Sequence, residues 1–298
     1  MNKKKDRFSR NKVKTFNVPR SLGEIKENKK ITNDVPSEPT EEQIINRACQ
    51  MHIKGNISEA KKYYKYCLNT GFNDYRVYSN YAIIMKDNGN LKEAEILTRK
   101  AIEIKPDSYK AYLNLGSIHI DLNKLKEAEE STLKAIELNP NFEKAYFNLG
   151  KIYRDLGRYH EAESFASKAI ELKPDYFEAY YILGTILINL GKLNQAKSTF
   201  LKAIELKPDY SEAHSNLAAI LKDLGKLKEA ELSIRKAIEL KPASAEVHST
   251  LGAILTDLGN LEEAELSTRK AIELKPDFAD AHLNLGIILN NFGKLKQS

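Results

Sequence analysis

Asn46, Asn80, Asn114, Asn148, Asn216 and Asn284 stand on one 34-residue interval, with Ile182 and Thr250 at the two remaining places. A primary amide carries a carbonyl acceptor and two N–H donors, the complement of a peptide main chain. A row of such groups at even spacing could hold extended backbone. Other residue types promise less. Gly-Lys pairs at 191–192, 225–226 and 293–294, and Gly-Arg at 157–158, suggest a phosphate loop, but leucine follows the lysine in each case. A hydroxyl for magnesium and the second glycine of that motif are therefore missing. Cys49 and Cys67 are the chain's two cysteines, too few ligands for a metal and best read as packing thiols. No serine, histidine and acid stand where anything but the fold could assemble them. No catalytic residue, metal or cofactor is expected, so the chain is not expected to be an enzyme.

The elements that must position the asparagines can be read from one stretch, Ser211–Ser244. Leu217, Ile220 and Leu221 share a helical face over roughly 212–224. Gly225 supplies a left-handed residue to close that helix. A second helix, roughly 228–241, carries Ala230, Ile234, Ala237, Ile238 and Leu240, and Pro242 stops it. One such pair cannot bury its own apolar surface and must stack on copies of itself.

The copies are present. Pro106, Pro140, Pro174, Pro208, Pro242 and Pro276 recur every 34 residues, as do the alanines aligned with Ala230 and Ala237. The turn place carries Gly89, Asn123, Gly157, Gly191, Gly225, Gly259 and Gly293; asparagine tolerates the left-handed conformation best after glycine. Gly116, Gly150, Gly184, Gly252 and Gly286 fall mid-helix, where glycine is about 1 kcal/mol worse than alanine. They are expected where another helix crosses too closely for a side chain. The units run 41–74, 75–108, 109–142, 143–176, 177–210, 211–244 and 245–278, with a partial eighth at 279–298. The first is worn.

This pattern resembles the tetratricopeptide repeat (TPR) family over residues 41–298. Leu183, Gly184, Gly191, Ala196, Phe200, Ala203 and Pro208 fill the family's small-residue and proline places within one unit. The resemblance implies a right-handed superhelix whose first helices line a concave groove, with position 6 of each unit, the asparagine place, pointing into it. Positions 2, 6, 9 and 13 share that helical face. Position 2 carries Arg76, Lys110 and Lys144, then Glu178, Glu212, Glu246 and Asp280. Position 13 carries Asp87, Asp121 and Asp155, with Asp223 and Asp257 further on. An aspartate near a helix C-terminus opposes the helix dipole, so its recurrence asks for a reason. Six of the eight position-6 residues are asparagine, a poor helix former. The array looks like the asparagine-lined superhelix of the O-linked N-acetylglucosamine transferases, where such a ladder holds substrate protein. Asparagines that bond to neighbouring units and set repeat geometry are the competing account. The chaperone-clamp subtype fits less well, since Ser79, Ile83, Leu113 and Ser117 occupy its lysine and asparagine places. His214, His248 and His282 share position 4 with Tyr78, Tyr112, Tyr146 and Tyr180. Equivalent helices lie on the order of 10 Å apart, too far for one zinc, so these rings are read as packing.

Residues 1–40 hold eleven Lys or Arg against five acids, while the repeats balance, so the whole net charge of +6 sits in this tail. With three prolines and few apolar residues it is expected to be disordered. No secretory signal and no membrane span are legible, and reduced thiols suit a cytoplasmic protein. The reading is all-α, a right-handed α-solenoid acting as a protein-interaction scaffold that binds an extended peptide or protein segment. Two alternatives stay open. The chain could be the substrate-recruiting array of a longer glycosyltransferase-like enzyme, or an RNA-binding helical repeat. A repeat region of zero net charge speaks against nucleic acid. The partial eighth unit, which lacks its second helix, leads us to expect a longer protein or self-association at that end.

Overall fold

The computed structural model describes residues 39–295. The expected disordered tail lies almost wholly outside the described residues. The described chain is helical from Glu41 onward, two helices to a unit. The first helices are α1 (Glu41–Ile53), α3 (Tyr75–Asp87), α5 (Tyr109–Asp121), α7 (Glu143–Asp155), α9 (Phe177–Asn189), α11 (Ser211–Asp223), α13 (Ala245–Asp257) and α15 (Ala279–Leu295). The second helices are α2 (Ile57–Thr70), α4 (Leu91–Ile104), α6 (Leu125–Leu138), α8 (Tyr159–Leu172), α10 (Leu193–Leu206), α12 (Leu227–Leu240) and α14 (Leu261–Leu274). No strand occurs among the described residues, and no helix there is long and apolar enough to cross a membrane.

Each turn between paired helices has one construction. Gly225 adopts φ 72°, and the following Lys226 N–H reaches back to the Leu221 carbonyl at 2.7 Å. That bond satisfies a carbonyl the helix end would otherwise leave open. Asn123 does the same with φ 57°, the one described non-glycine residue with positive φ, and Lys124 N–H closes on the His119 carbonyl at 2.8 Å. Gly293 departs from the expectation. α15 runs through it to Leu295. No second helix follows α15 among the described residues, so no packing draws the chain aside, and continuing adds intrahelical hydrogen bonds.

Small residues set the spacing between layers. The alanines aligned with Ala230 and Ala237 are fully buried in every unit with a described second helix except the first, where Cys67 takes the second place. Position 8 of each first helix faces position 24 of its partner. A Cβ on Gly184 would stand 2.7 Å from the Phe200 ring, and one on Gly116 or Gly252 would collide with the Thr132 or Thr268 hydroxyl. At Gly150 the opposing residue is only Ala166, and a Cβ would meet it at 3.4 Å. Gly286 corrects the expectation: nothing lies within 4 Å of its Cβ position, because α15 has no partner helix there.

Consecutive first helices pack directly on one another (α1 on α3, α3 on α5, α5 on α7, α7 on α9, α11 on α13, α13 on α15), whereas second helices do not pack together at that level. A stack whose first helices are the closer layer bends toward them. Its start is polar. Positions 3, 7 and 10 of α1 are Gln43, Arg47 and Gln50, all exposed, where α3 buries Val77, Tyr81 and Ile84 against the unit before. Among the described residues no helix precedes α1, and the first unit is polar at the places that α3 uses to pack on the unit before it.

Candidate functional site

The ladder asparagines are tied to the unit before them through their amide nitrogens. Asn114 Nδ2 donates to Ser79 Oγ at 3.4 Å, Asn216 Nδ2 to the Tyr181 hydroxyl at 3.3 Å, and Asn284 Nδ2 to Ser249 Oγ at 3.0 Å. Each acceptor sits at position 5 of the preceding first helix. Asn80 Nδ2 instead meets Cys49 Sγ at 3.3 Å, from position 9. Asn46, in the first unit, turns to Glu42 at 3.0 Å and receives Arg76 on its Oδ1 at 3.3 Å. Asn148 is buried, 8% exposed. Among the described residues no protein donor reaches Oδ1 of Asn80, Asn114, Asn216 or Asn284. The amide nitrogen thus sets inter-unit register and the oxygen stays open as an acceptor.

The two interruptions of the ladder have local causes. Ile182 is 5% exposed and packs in a core with Phe147 and Tyr181 nearby. Thr250 folds its hydroxyl back on the Glu246 carbonyl of its own helix at 2.9 Å.

Charges along the same face are partly engaged. Arg76 bridges Asp74 at 2.8 Å and Glu42 at 2.6 Å, and hydrogen bonds from Arg76 hold both carboxyls below their usual range against the opposing pull of burial. Lys110 and Lys144 are in no ion pair among the described residues. Asp121 pairs with Lys86 of the preceding unit at 3.2 Å, and Asp257 with Lys222 in the same way at 3.4 Å. Asp155 pairs with its neighbour Arg154 at 2.7 Å, and Asp87 is exposed. Inter-unit pairing therefore accounts for part of the aspartate recurrence.

The position-4 rings bond to the loop before them. His214, His248 and His282 place Nε2 at 3.0, 2.9 and 2.8 Å from the carbonyls of Pro208, Pro242 and Pro276, and Tyr146 OH donates to the Pro140 carbonyl at 3.0 Å. The histidine is thus a tyrosine substitute that carries its own N–H donor. Cys67 is fully buried, and that burial pushes its thiol up to about 11, which keeps it unreactive.

A cavity of ≈ 580 Å³ opens on α5, α7 and the loop into α9. Asn114 and Asn148 line it, with Lys144, Phe147, Phe177 and Glu178 among the others. The volume falls within the ligand-site range of about 300–1,000 Å³. Phe147 stands against Tyr176 with ring centroids 5.2 Å apart, and Lys173 Nζ lies 5.1 Å from the Tyr176 ring centre. The sequence reading passes over these aromatic residues. Their signal is that positions 34 and 1 are both aromatic only at Tyr176–Phe177.

Models described as tetratricopeptide repeat match residues 75–108, 143–176 and 177–210, residues 109–142 and residues 199–231. A TPR repeat model matches residues 252–291. The chain belongs to the tetratricopeptide repeat family. No curated protein matches it. Among solved structures it is similar to the Cut9–Hcn1 hetero-tetramer of APC/C, with TM-score 0.73 at 16% identity, covering 84% of this chain and 49% of that one. The chain thus spans about half the length of that relative. It is also similar to PilF of Pseudomonas aeruginosa, with TM-score 0.64 at 20% identity, covering 70% and 95% of the two chains. YrrB, described as a TPR protein with an unusual peptide-binding site, gives TM-score 0.51 at 28% identity, covering 62% of this chain and 95% of its own. These likenesses establish the fold of stacked tetratricopeptide repeats.

Proposed function

We propose that the face formed by the first helices binds an extended segment of another protein by its main chain. One observation carries this reading: at one place in the second, third, sixth and eighth units an asparagine is anchored by Nδ2 and leaves Oδ1 without a protein donor among the described residues. A row of fixed acceptors is preorganised for the N–H groups of an extended peptide, whose donors are otherwise unpaired outside a sheet. Adjacent first helices about 10 Å apart match about three residues of extended chain. The peptide-binding site ascribed to YrrB supports the same use of this fold. Arg76, Lys110 and Lys144 toward one end of the groove, and Asp87, Asp121 and Asp155 along it, would then shape which side chains the segment carries.

The test uses the full chain and a displayed library of random twelve-residue peptides. Selected peptides should lose about ten- to a thousandfold in affinity against Asn80→Ala, Asn114→Ala and Asn148→Ala combined, from three hydrogen bonds of about 0.5–1.5 kcal/mol each. Because Asn80 and Asn114 also tie units together, the variant should melt a few degrees lower, and binding is compared for folded protein only. Unchanged affinity of the folded variant would contradict the reading.

A further inference from the structure

Four of the eight position-2 charges along the first helices, Glu42, Arg76, Glu212 and Glu246, are engaged within the chain, and Lys110, Lys144, Glu178 and Asp280 are in no ion pair among the described residues. Arg76 is held by Asp74 and Glu42, Glu212 faces Lys241 at 3.4 Å, and Glu246 accepts from Ser244 Oγ at 2.9 Å. Of the unengaged four, Lys144 and Glu178 line one cavity. They occupy the same place on α7 and α9 and carry opposite charges. Neither is in an ion pair, with the other or with any other described residue. Phe147 and Phe177, each half-buried, line the same cavity. The lysine ammoniums of Lys151 and Lys207 lie 5.9 and 4.6 Å from those two ring centres, so the rings are held in place by cation–π contact. Lys173 and Asp175, also lining the cavity, double each charge.

This is also where position 2 changes sign, from Arg76, Lys110 and Lys144 to Glu178, Glu212 and Glu246. A cavity lined by aromatic rings and by charges of both signs is complementary to a mixed motif, and less so to a uniformly acidic or basic one. In an extended chain, alternate residues share a face, so three such residues span about 13 Å. That length bridges equivalent places on helices about 10 Å apart once side chains reach inward.

Resting on the groove reading above, we infer that this cavity is the register anchor of the bound segment. It takes an acidic, an apolar or aromatic, and a basic side chain at alternate residues, with the acid toward Lys144 and the base toward Glu178.

The probes are fluorescein-labelled eleven-residue peptides with Gly-Ser flanks around Asp-Gly-Phe-Gly-Lys, its reverse order, and controls with two acids or two bases. Fluorescence anisotropy is measured against the full chain. One of the two mixed orders should bind at least tenfold more tightly than both controls. Lys144→Glu should move the preference to the two-base peptide and Glu178→Lys to the two-acid peptide; both residues are solvent-accessible, and circular dichroism checks that the fold is kept. Mixed peptides that bind no better than both controls, or a ranking unmoved by the charge reversals, would overturn the inference. If that ranking fails while the triple asparagine variant still weakens every peptide, the register anchor falls and main-chain binding stands. If charge reversal moves the preference but the asparagines have no effect, the anchor stands and the ladder falls.

Discussion

A methyl group decides the packing at position 8, and the array supplies its own internal controls. At Gly184 the added Cβ would reach within 2.7 Å of the Phe200 ring, which is fully buried. Gly184→Ala should therefore destabilise by about 1–3 kcal/mol through overpacking, against a helix-propensity gain of about 1 kcal/mol. At Gly150 the same methyl meets Ala166 at ordinary contact distance, 3.4 Å, so Gly150→Ala should be neutral or stabilising by up to about 1 kcal/mol. Urea unfolding of the two variants checks both signs. A second residue-scale test concerns Glu95. Its carboxyl meets Arg99 at 2.8 Å, Lys124 at 3.0 Å and the buried His119 at 3.2 Å. Hydrogen bonding to Arg99 first, then to Lys124 and His119, holds it down to about 2, from an ordinary 4.5. A carboxyl with a lowered folded pKa stabilises above its unfolded value, and that contribution is lost as pH falls from about 4.5 to about 2. Glu95→Gln should thus be less stable than the parent by about 1 kcal/mol at pH 7. The difference should disappear by pH 2, read from urea midpoints across that range.

At the scale of helices and turns, much is legible in the sequence because local chemistry fixes it. The turn glycines, the prolines after the second helices and the 34-residue spacing place α11 and α12 within one residue of their expected ends. Asn123 is legible as a left-handed turn residue because its neighbours in the series are glycines. Replacing it with glycine should stabilise by a few tenths of a kcal/mol, while Gly191→Ala, at φ 70°, should lose about 1–2 kcal/mol. Thermal unfolding of the pair tests whether the turn conformation sets the difference. What the sequence does not display is set between elements. Gly293 and Gly286 repeat the residue types of other units, yet no second helix packs on α15 among the described residues. Nothing in the local sequence around Ile182 shows that it lies under Phe147 and Tyr181. The tie from Asn114, Asn216 and Asn284 to position 5 of the preceding unit spans 35 residues. Ser79, Tyr181 and Ser249 carry the hydroxyls, and pairing that spacing with the asparagine series would have revealed it.

For the whole molecule, the account rests on a division of labour within one side chain. At Asn80, Asn114, Asn216 and Asn284 the amide nitrogen closes a hydrogen bond between units, and the function proposed above gives the oxygen to a partner's main chain. The two accounts that the sequence left in competition, repeat geometry and peptide binding, then describe opposite ends of the same amide. In that proposal the first helices, which pack on one another as the second helices do not, would present these oxygens on one face. The most direct measurement is a main-chain N-methyl scan of a peptide selected on the full chain, with Kd read by fluorescence anisotropy. Each methyl removes one N–H donor while leaving the side chain in place. Losses of about tenfold or more should recur at intervals of about three residues, at sites where side-chain alanine substitution has little effect. Those losses should shrink against the triple asparagine-to-alanine variant, which no longer offers the oxygens. A flat N-methyl profile, with binding governed by side chains alone and indifferent to the asparagines, would contradict the account.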